Sequence, residues 1–206
     1  MITKEALSTN LDKLFPNPHC ELVANTPFEV LVAVVLSAQC TDKRVNMVTE
    51  KLFKTHNTPE DFVNIPLEQL EEKIRSCGFY HNKALSIKSM SYDIIEKFGG
   101  EVPKNFDDLL SLRGVGRKTA NVVIAEAFKG DAFAVDTHVL RVSNRLGFVK
   151  TDDPNKCELQ MKKMLPKKDW SKSHYQMVLF GRYICKAIKP DCEKCPFNTK
   201  CKNSRV

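Results

Sequence analysis

The sequence predicts an all-α protein. Apolar residues recur at i, i+3 and i+4 over most of its 206 residues. No segment alternates apolar with polar as a half-buried strand does, and the connections are short and carry Pro, Gly or Asn. The first strong element is 28–37 (FEVLVAVVLS), longer than most strands and preceded by Thr26-Pro27, a cap followed by a first-turn proline. Helical spacing returns at 67–74 and 83–98, the second stopped by Gly99-Gly100. A short helix at 106–112 opens onto Gly114-Val115-Gly116. Helices at 117–128 and 137–146 follow, and those at 154–165 and 174–184 complete the set. No clean repeat or low-complexity stretch interrupts them.

Composition bounds the function. With 42% hydrophobic and 28% charged residues the chain is ordinary and globular, sized for one large domain or two small ones. The longest apolar run, residues 30–36, is too short to span a bilayer, and the N-terminus mixes charges into its apolar residues, unlike a secretory signal. Cys20, Cys40, Cys77 and Cys157 are scattered through apolar or helical contexts, which suits free thiols in a reducing interior better than a disulfide framework. The formal net charge of +7 is uneven, with 14 Lys+Arg against 6 Asp+Glu from Lys150 onward and 18 against 19 before it. A positive field gathered in the last quarter suits a polyanion; a solvated lysine-rich surface is the plain alternative.

Four cysteines, Cys185, Cys192, Cys195 and Cys201, read C-x6-C-x2-C-x5-C within 17 residues. The first gap is long for a zinc-ribbon knuckle, where paired C-x2-C spacings dominate. Unequal gaps suit the corners of a [4Fe–4S] cube better than one tetrahedral zinc ion or disulfides.

The string LRGVGRKTA at 112–120 is the second chemical signal. A short helix, a Gly-Val-Gly turn and a second helix make a hairpin whose glycines bring the backbone close to a ligand. The following helix N-terminus binds phosphate well, so this is the shape of a DNA-backbone clamp. A nucleotide P-loop does not fit, because Ser111 stands where its first glycine belongs and Arg117 separates Gly116 from Lys118. Lys118 sits in the first turn of the second helix, where the helix dipole and Arg117 both make an ammonium less comfortable. A lysine that gives up its proton readily is a nucleophile. A phosphate contact is the alternative role.

Asp136, in AVDTH, caps the next helix. A helix over 117–128 is roughly 18 Å long, and the stretch 129–135 spans about 23 Å extended. The chain is therefore long enough to return and bring the carboxylate beside the amine. Such a pair suits attack on a sugar carbon, with the carboxylate managing protons and developing charge. Gln39, at the end of the apolar helix, has the chemistry to fill a gap in a base stack or to be an ordinary helix-end amide. Phe79, after Gly78, is either a wedge between bases or a core aromatic.

Together LSAQCTD, GFYHNKA, LRGVGRKTANVV, AVDTHVLRV and the cysteine loop resemble, in order and spacing, the endonuclease III family of helix–hairpin–helix DNA glycosylases. The resemblance runs from about Pro27 to Cys201. It implies two all-α lobes with DNA in the cleft between them: a six-helix lobe at 21–130 containing the hairpin, and an iron–sulfur lobe made of 1–20 and 131–206. It implies one [4Fe–4S] cluster on Cys185, Cys192, Cys195 and Cys201, with Lys118 as nucleophile assisted by Asp136. Contacts to double-stranded DNA bearing a damaged pyrimidine or abasic site are implied for Gln39, Phe79, Gly114, Val115, Gly116, Arg117, His138, Lys186 and Lys189. A monomeric, prokaryote-like, cytoplasmic and nucleoid-associated enzyme without a targeting segment or membrane partner is the corresponding expectation. Three positions depart from the family pattern. Arg113 stands where proline is frequent, Phe79 where leucine is, and Cys40 where alanine is. Rival readings are an adenine or mismatch glycosylase, which generally lacks the lysine, a non-catalytic hairpin protein, which needs neither Lys118 nor Asp136, and a zinc-stabilised interaction domain.

Overall fold

Local capping sets many of the helix starts. In the computed structural model, which describes residues 2–206, Thr26 Oγ1 accepts from the Glu29 N–H at 3.1 Å and opens α2 (Pro27–Leu36) with proline at its first turn. Thr41, Thr58, Asn105, Asp136 and Asp153 cap α3 (Asp42–Leu52), α4 (Pro59–Asn64), α7 (Phe106–Ser111), α9 (Thr137–Arg145) and α10 (Pro154–Met164) in the same way. The remaining helices are α1 (Lys4–Leu14), α5 (Leu67–Ile74), α6 (Tyr80–Phe98), α8 (Arg117–Ala127) and α11 (Trp170–Tyr183). No strand occurs among the described residues, and none of their helices is long and apolar enough to cross a membrane.

Agreement with the periodicity is close at α5 and within a residue or so at α2, α7, α8, α9 and α10. Helix α6 begins three residues before the expected 83, and α11 begins at Trp170 rather than 174. Helices α1, α3 and α4 were not anticipated. In α3 the buried positions are Val45, Thr49 and Leu52; a threonine fills a core position, so the apolar stripe is interrupted on paper. Thr49 is tolerated there because its hydroxyl donates to the Val45 carbonyl at 3.1 Å.

The chain divides into two compact units, Cys20–Gly130 and Met1–His19 with Asp131–Val206. The first holds α2 to α8 around a core of Leu31, Leu36, Phe62, Leu70, Ile74, Ile87 and Met90, none more than 1% exposed. Burial of each such side chain contributes about 1.5–3 kcal/mol. The second unit holds α1 and α9 to α11. Its core joins Leu7 and Leu11 of α1 to Val139, Val142, Met161, Met177 and Phe180. Helix α1 is also tied by polar bonds, since Gln176 Nε2 donates to Asp12 Oδ1 at 2.7 Å and to the Phe15 carbonyl at 3.1 Å.

Candidate active site and metal centre

Within Cys20–Gly130, α7 and α8 pack together and form the hairpin. Gly114 adopts φ +83°, and a Cβ there would lie 2.7 Å from Ser86 Cβ. It is glycine for two independent reasons, the left-handed backbone and the close approach of α6. Gly116 is different. Its φ is −96°, nothing lies within 4 Å of a built Cβ, and it caps α8 with no side-chain hydrogen bond. Val115 is buried in the core and its N–H donates to the Leu112 carbonyl at 3.1 Å, so its side chain and its backbone donor are both engaged within the fold. The Arg117 guanidinium stacks over the Phe106 ring at 4.7 Å, bracing α8 against α7. Lys118, one residue on, is exposed.

These differences between the glycines give separable outcomes. Gly114→Ala is expected to lower stability by about 1–3 kcal/mol through strain and the Ser86 clash. Gly116→Ala is expected to leave the melting temperature unchanged while weakening DNA binding, because its methyl stands where a phosphate would approach. Thermal melts beside gel-shift titrations check both; equal behaviour of the two variants would contradict the assignment.

Two further turns in this unit carry strained, exposed residues. Gln39, in the turn after α2, has φ +53°; Phe79, at the start of α6, has φ +49° and is 64% exposed. Left-handed backbone at a non-glycine residue costs of order 1–3 kcal/mol and collects at functional positions. The exposure removes the core-aromatic reading of Phe79. Between the turns lies Lys83, a residue the sequence reading passed over. The residue is only 6% exposed, and its ammonium donates to the carbonyls of Leu36 and Cys77, each at 2.8 Å. Burial holds it below the usual lysine range, with Cys40 and Cys77 acting in the opposite direction.

In the second unit Asp136 caps α9, its Oδ1 accepting from the Val139 N–H at 2.8 Å. His138 lies on the same helix, its Nδ1 3.0 Å from Arg141 Nη2 and its Cβ against Gly181, where a methyl would sit 2.8 Å away. The four C-terminal cysteines line one cavity with Arg145, Leu146, Ile184 and Asp191. All are free thiols. Burial pushes the Cys195 thiol up to about 11, while its backbone bond at Phe197 lowers it and Cys185, Cys201 and Cys192 add to the rise. Among the described residues no three His, Cys, Asp or Glu side chains converge closely enough to hold a single metal ion. The four thiols share one cavity, and an all-thiolate donor set is the chemistry that iron–sulfur groups take.

Two arginines missed from sequence hold this loop. Arg145 donates to the carbonyls of Lys186 at 2.6 Å and Ala187 at 3.0 Å, with Nη1 3.7 Å from Cys185 Sγ. Arg141 Nε donates to the Cys185 carbonyl at 3.1 Å. Their i, i+4 spacing on α9 was the available signal. The loop presents exposed Lys186 and Lys189, the latter at φ +51°, on either side of Ile188, which is 81% exposed.

Comparison with known proteins places this geometry. Residues 32–167 match the family model of the HhH-GPD superfamily base excision DNA repair proteins. The chain is 48% identical to endonuclease III of Bacillus subtilis (strain 168) over 209 aligned residues, covering 100% of this chain and 95% of that protein. It is similar to the solved structure of a non-covalent endonuclease III–DNA complex, with 51% identity, a TM-score of 0.94, and coverage of 98% of this chain and 96% of the other. A trapped endonuclease III–DNA covalent intermediate, an estranged-adenine complex, gives the same identity and TM-score over 98% of this chain and 97% of its own.

Proposed function

This chain belongs to the endonuclease III family of HhH-GPD base excision DNA repair proteins and is a DNA glycosylase with AP lyase activity, and from that membership we propose how its residues divide the work. The substrate is double-stranded DNA carrying an oxidised pyrimidine or an abasic site, met by a monomer. The damaged nucleotide is extruded from the stack, and the polar Gln39 occupies the void while Phe79 wedges the neighbouring step. Lys118 Nζ attacks the sugar C1′, the bond from C1′ to the base breaks, and the base departs with its electron pair. The nitrogen lone pair then forms a C=N bond as the C1′–O4′ bond of the sugar ring opens and O4′ takes a proton. The resulting Schiff base acidifies a proton at C2′. Its removal expels the 3′-phosphate oxygen and cuts the strand 3′ to the lesion. Asp136 handles the lysine's proton and the charge that develops as the base leaves.

The observation that carries this reading is local. Lys118 is exposed in the first turn of a helix whose capping residue, Gly116, offers backbone rather than side chain, directly after a turn fixed by Gly114. Backbone N–H groups of Gly114 and Gly116 can then receive a phosphate while the amine beside them reacts; the Val115 N–H is already bonded to the Leu112 carbonyl. Arg117 and His138 add cationic or hydrogen-bonding contacts. Cys185, Cys192, Cys195 and Cys201 hold one [4Fe–4S] cluster. When bound, that group binds the C-terminal loop together, and it takes no part in the bond changes above. Arg145 and Arg141 fix the loop's carbonyls, so that Lys186 and Lys189 meet the DNA backbone.

Borohydride trapping on a duplex carrying one thymine glycol tests the proposal. A covalent protein–DNA band is expected with the damaged duplex and none with an undamaged control. Release of the base without a trapped band would mean attack by water, and the nucleophilic role of the lysine would fail.

A further inference from the structure

We propose that Cys40 and Cys77 are a thiol modification site, closing into a reversible disulfide that joins the turn carrying Gln39 to the turn carrying Phe79. The two cysteines are 37 positions apart in sequence, yet the fold packs Cys40 against the core cluster that holds Cys77, where the Cys40 thiol acts on that of Cys77. Cys77 lies in the core at 1% exposure, and Cys40 packs against that core from a half-buried position. The backbone under the pair is already drawn together, because Lys83 bonds the carbonyls of Leu36 and Cys77 at once. Helix α3, which starts two residues after Cys40, packs on the short turn Arg75–Cys77. A disulfide therefore closes a gap between neighbours and does not pull separate elements together.

The charge environment favours exchange. The Lys83 ammonium stands near both thiols and Arg44 lies near Cys77, and cations stabilise the reactive thiolate. Burial nonetheless pushes the Cys77 thiol up to about 11. Cys77 accordingly waits as a neutral thiol while the more accessible Cys40 meets the oxidant. The oxidant is a low-molecular-weight disulfide such as glutathione disulfide. The Cys40 thiolate attacks one of its sulfurs, forming a mixed disulfide and releasing a glutathione thiolate. Cys77 then attacks the Cys40 sulfur, releasing the second glutathione, whose thiolate takes up the Cys77 proton. The protein loses two hydrogens, and the oxidant is reduced to two thiols.

The bond bears on catalysis through position. Cys40 directly follows Gln39, and Phe79 is separated from Cys77 only by Gly78, itself at φ +68°. Fixing Cys40 to Cys77 fixes the spacing of two turns that must part around an extruded nucleotide. This consequence rests on the roles proposed above for Gln39 and Phe79; the bond itself does not.

The test uses the loaded protein, incubated with glutathione disulfide or left reduced. Mapping without reductant is expected to show a Cys40–Cys77 linked peptide. Trapping on the thymine glycol duplex should fall about tenfold to a hundredfold, the scale on which displacements near 1 Å act, and recover with dithiothreitol. Cys40→Ala should keep its basal trapping, form no linked peptide and lose the response. A product arrested as a glutathione adduct, or inactivation that persists in Cys40→Ala, overturns the proposal. Should the linked peptide form while trapping stays unchanged, the site stands and its coupling to the turns is overturned. If the reduced protein fails to trap at all, the catalytic reading fails instead, and the linked peptide alone decides the site.

Discussion

Lys118→Gln is expected to abolish strand cleavage and borohydride trapping while leaving DNA affinity within about tenfold of the parent. Glutamine keeps a polar side chain of similar reach and offers no nucleophilic amine. Loss of a covalent nucleophile costs roughly a thousandfold or more in rate. In the proposed division of labour, binding rests on other groups, namely the turn backbone at Gly114 and Gly116, the positively charged C-terminal quarter and the exposed Lys186 and Lys189. Removing one cation among many changes a mostly electrostatic affinity little. Single-turnover cleavage and gel-shift titration on the same duplex check the division of labour. Affinity lost in step with activity would contradict it, as would residual trapping that points to another amine.

Cys195→Ala is expected to give colourless protein, without the broad absorbance near 400 nm that an iron–sulfur cube brings, and a melting temperature lower by roughly 6–12 °C. The second figure follows from a loss of about 3 kcal/mol in a chain of this size. Ligand thiolates bind their metal and the folded state together, so removing one corner releases folding energy as well as colour. The loop around Cys195 is a chain of short turns, with Cys195 N–H on the Cys192 carbonyl at 3.2 Å and Cys201 N–H on the Phe197 carbonyl at 2.8 Å. Beyond those it has Phe197, edge-on to Phe180 at 5.7 Å, and the Arg145 bonds. Affinity for DNA should fall at least about tenfold as Lys186 and Lys189 lose their fixed positions. Unchanged colour and melting would show that the four thiolates are not the ligand set.

Local rules made much of this legible. Helix α5 was read to the residue because Leu67, Leu70 and Ile74 keep clean spacing. The hairpin was read because glycines at 114 and 116 flank a single apolar residue, and the cap at Asp136 because its neighbours switch abruptly from apolar to helical pattern. Long-range placement was not legible. Nothing near Lys83 announces that its amine reaches two carbonyls from separate segments, or that Cys40 packs against the core that holds Cys77. The start of α6 was misplaced for a related reason. Phe79 turns the chain in the left-handed region, which the side chain disfavours and which no propensity for phenylalanine predicts. The exposure of Phe79 and the burial of Val115 likewise depend on packing that sequence spacing does not encode.

Helix α1 finds its partners only beyond residue 130. On the ribosome it emerges ahead of the helices it packs on, and Leu7 and Leu11 gain their core partners only when α9 and α11 follow. The intervening Cys20–Gly130 carries its whole core within itself and can close early, as contiguous segments do. Synthesis therefore runs past a waiting amphipathic helix, whose apolar side stays open to chaperones or to wrong partners until residues beyond 130 are made. The later segment, which carries the cysteine loop, is also the one that gives the earlier helix its place.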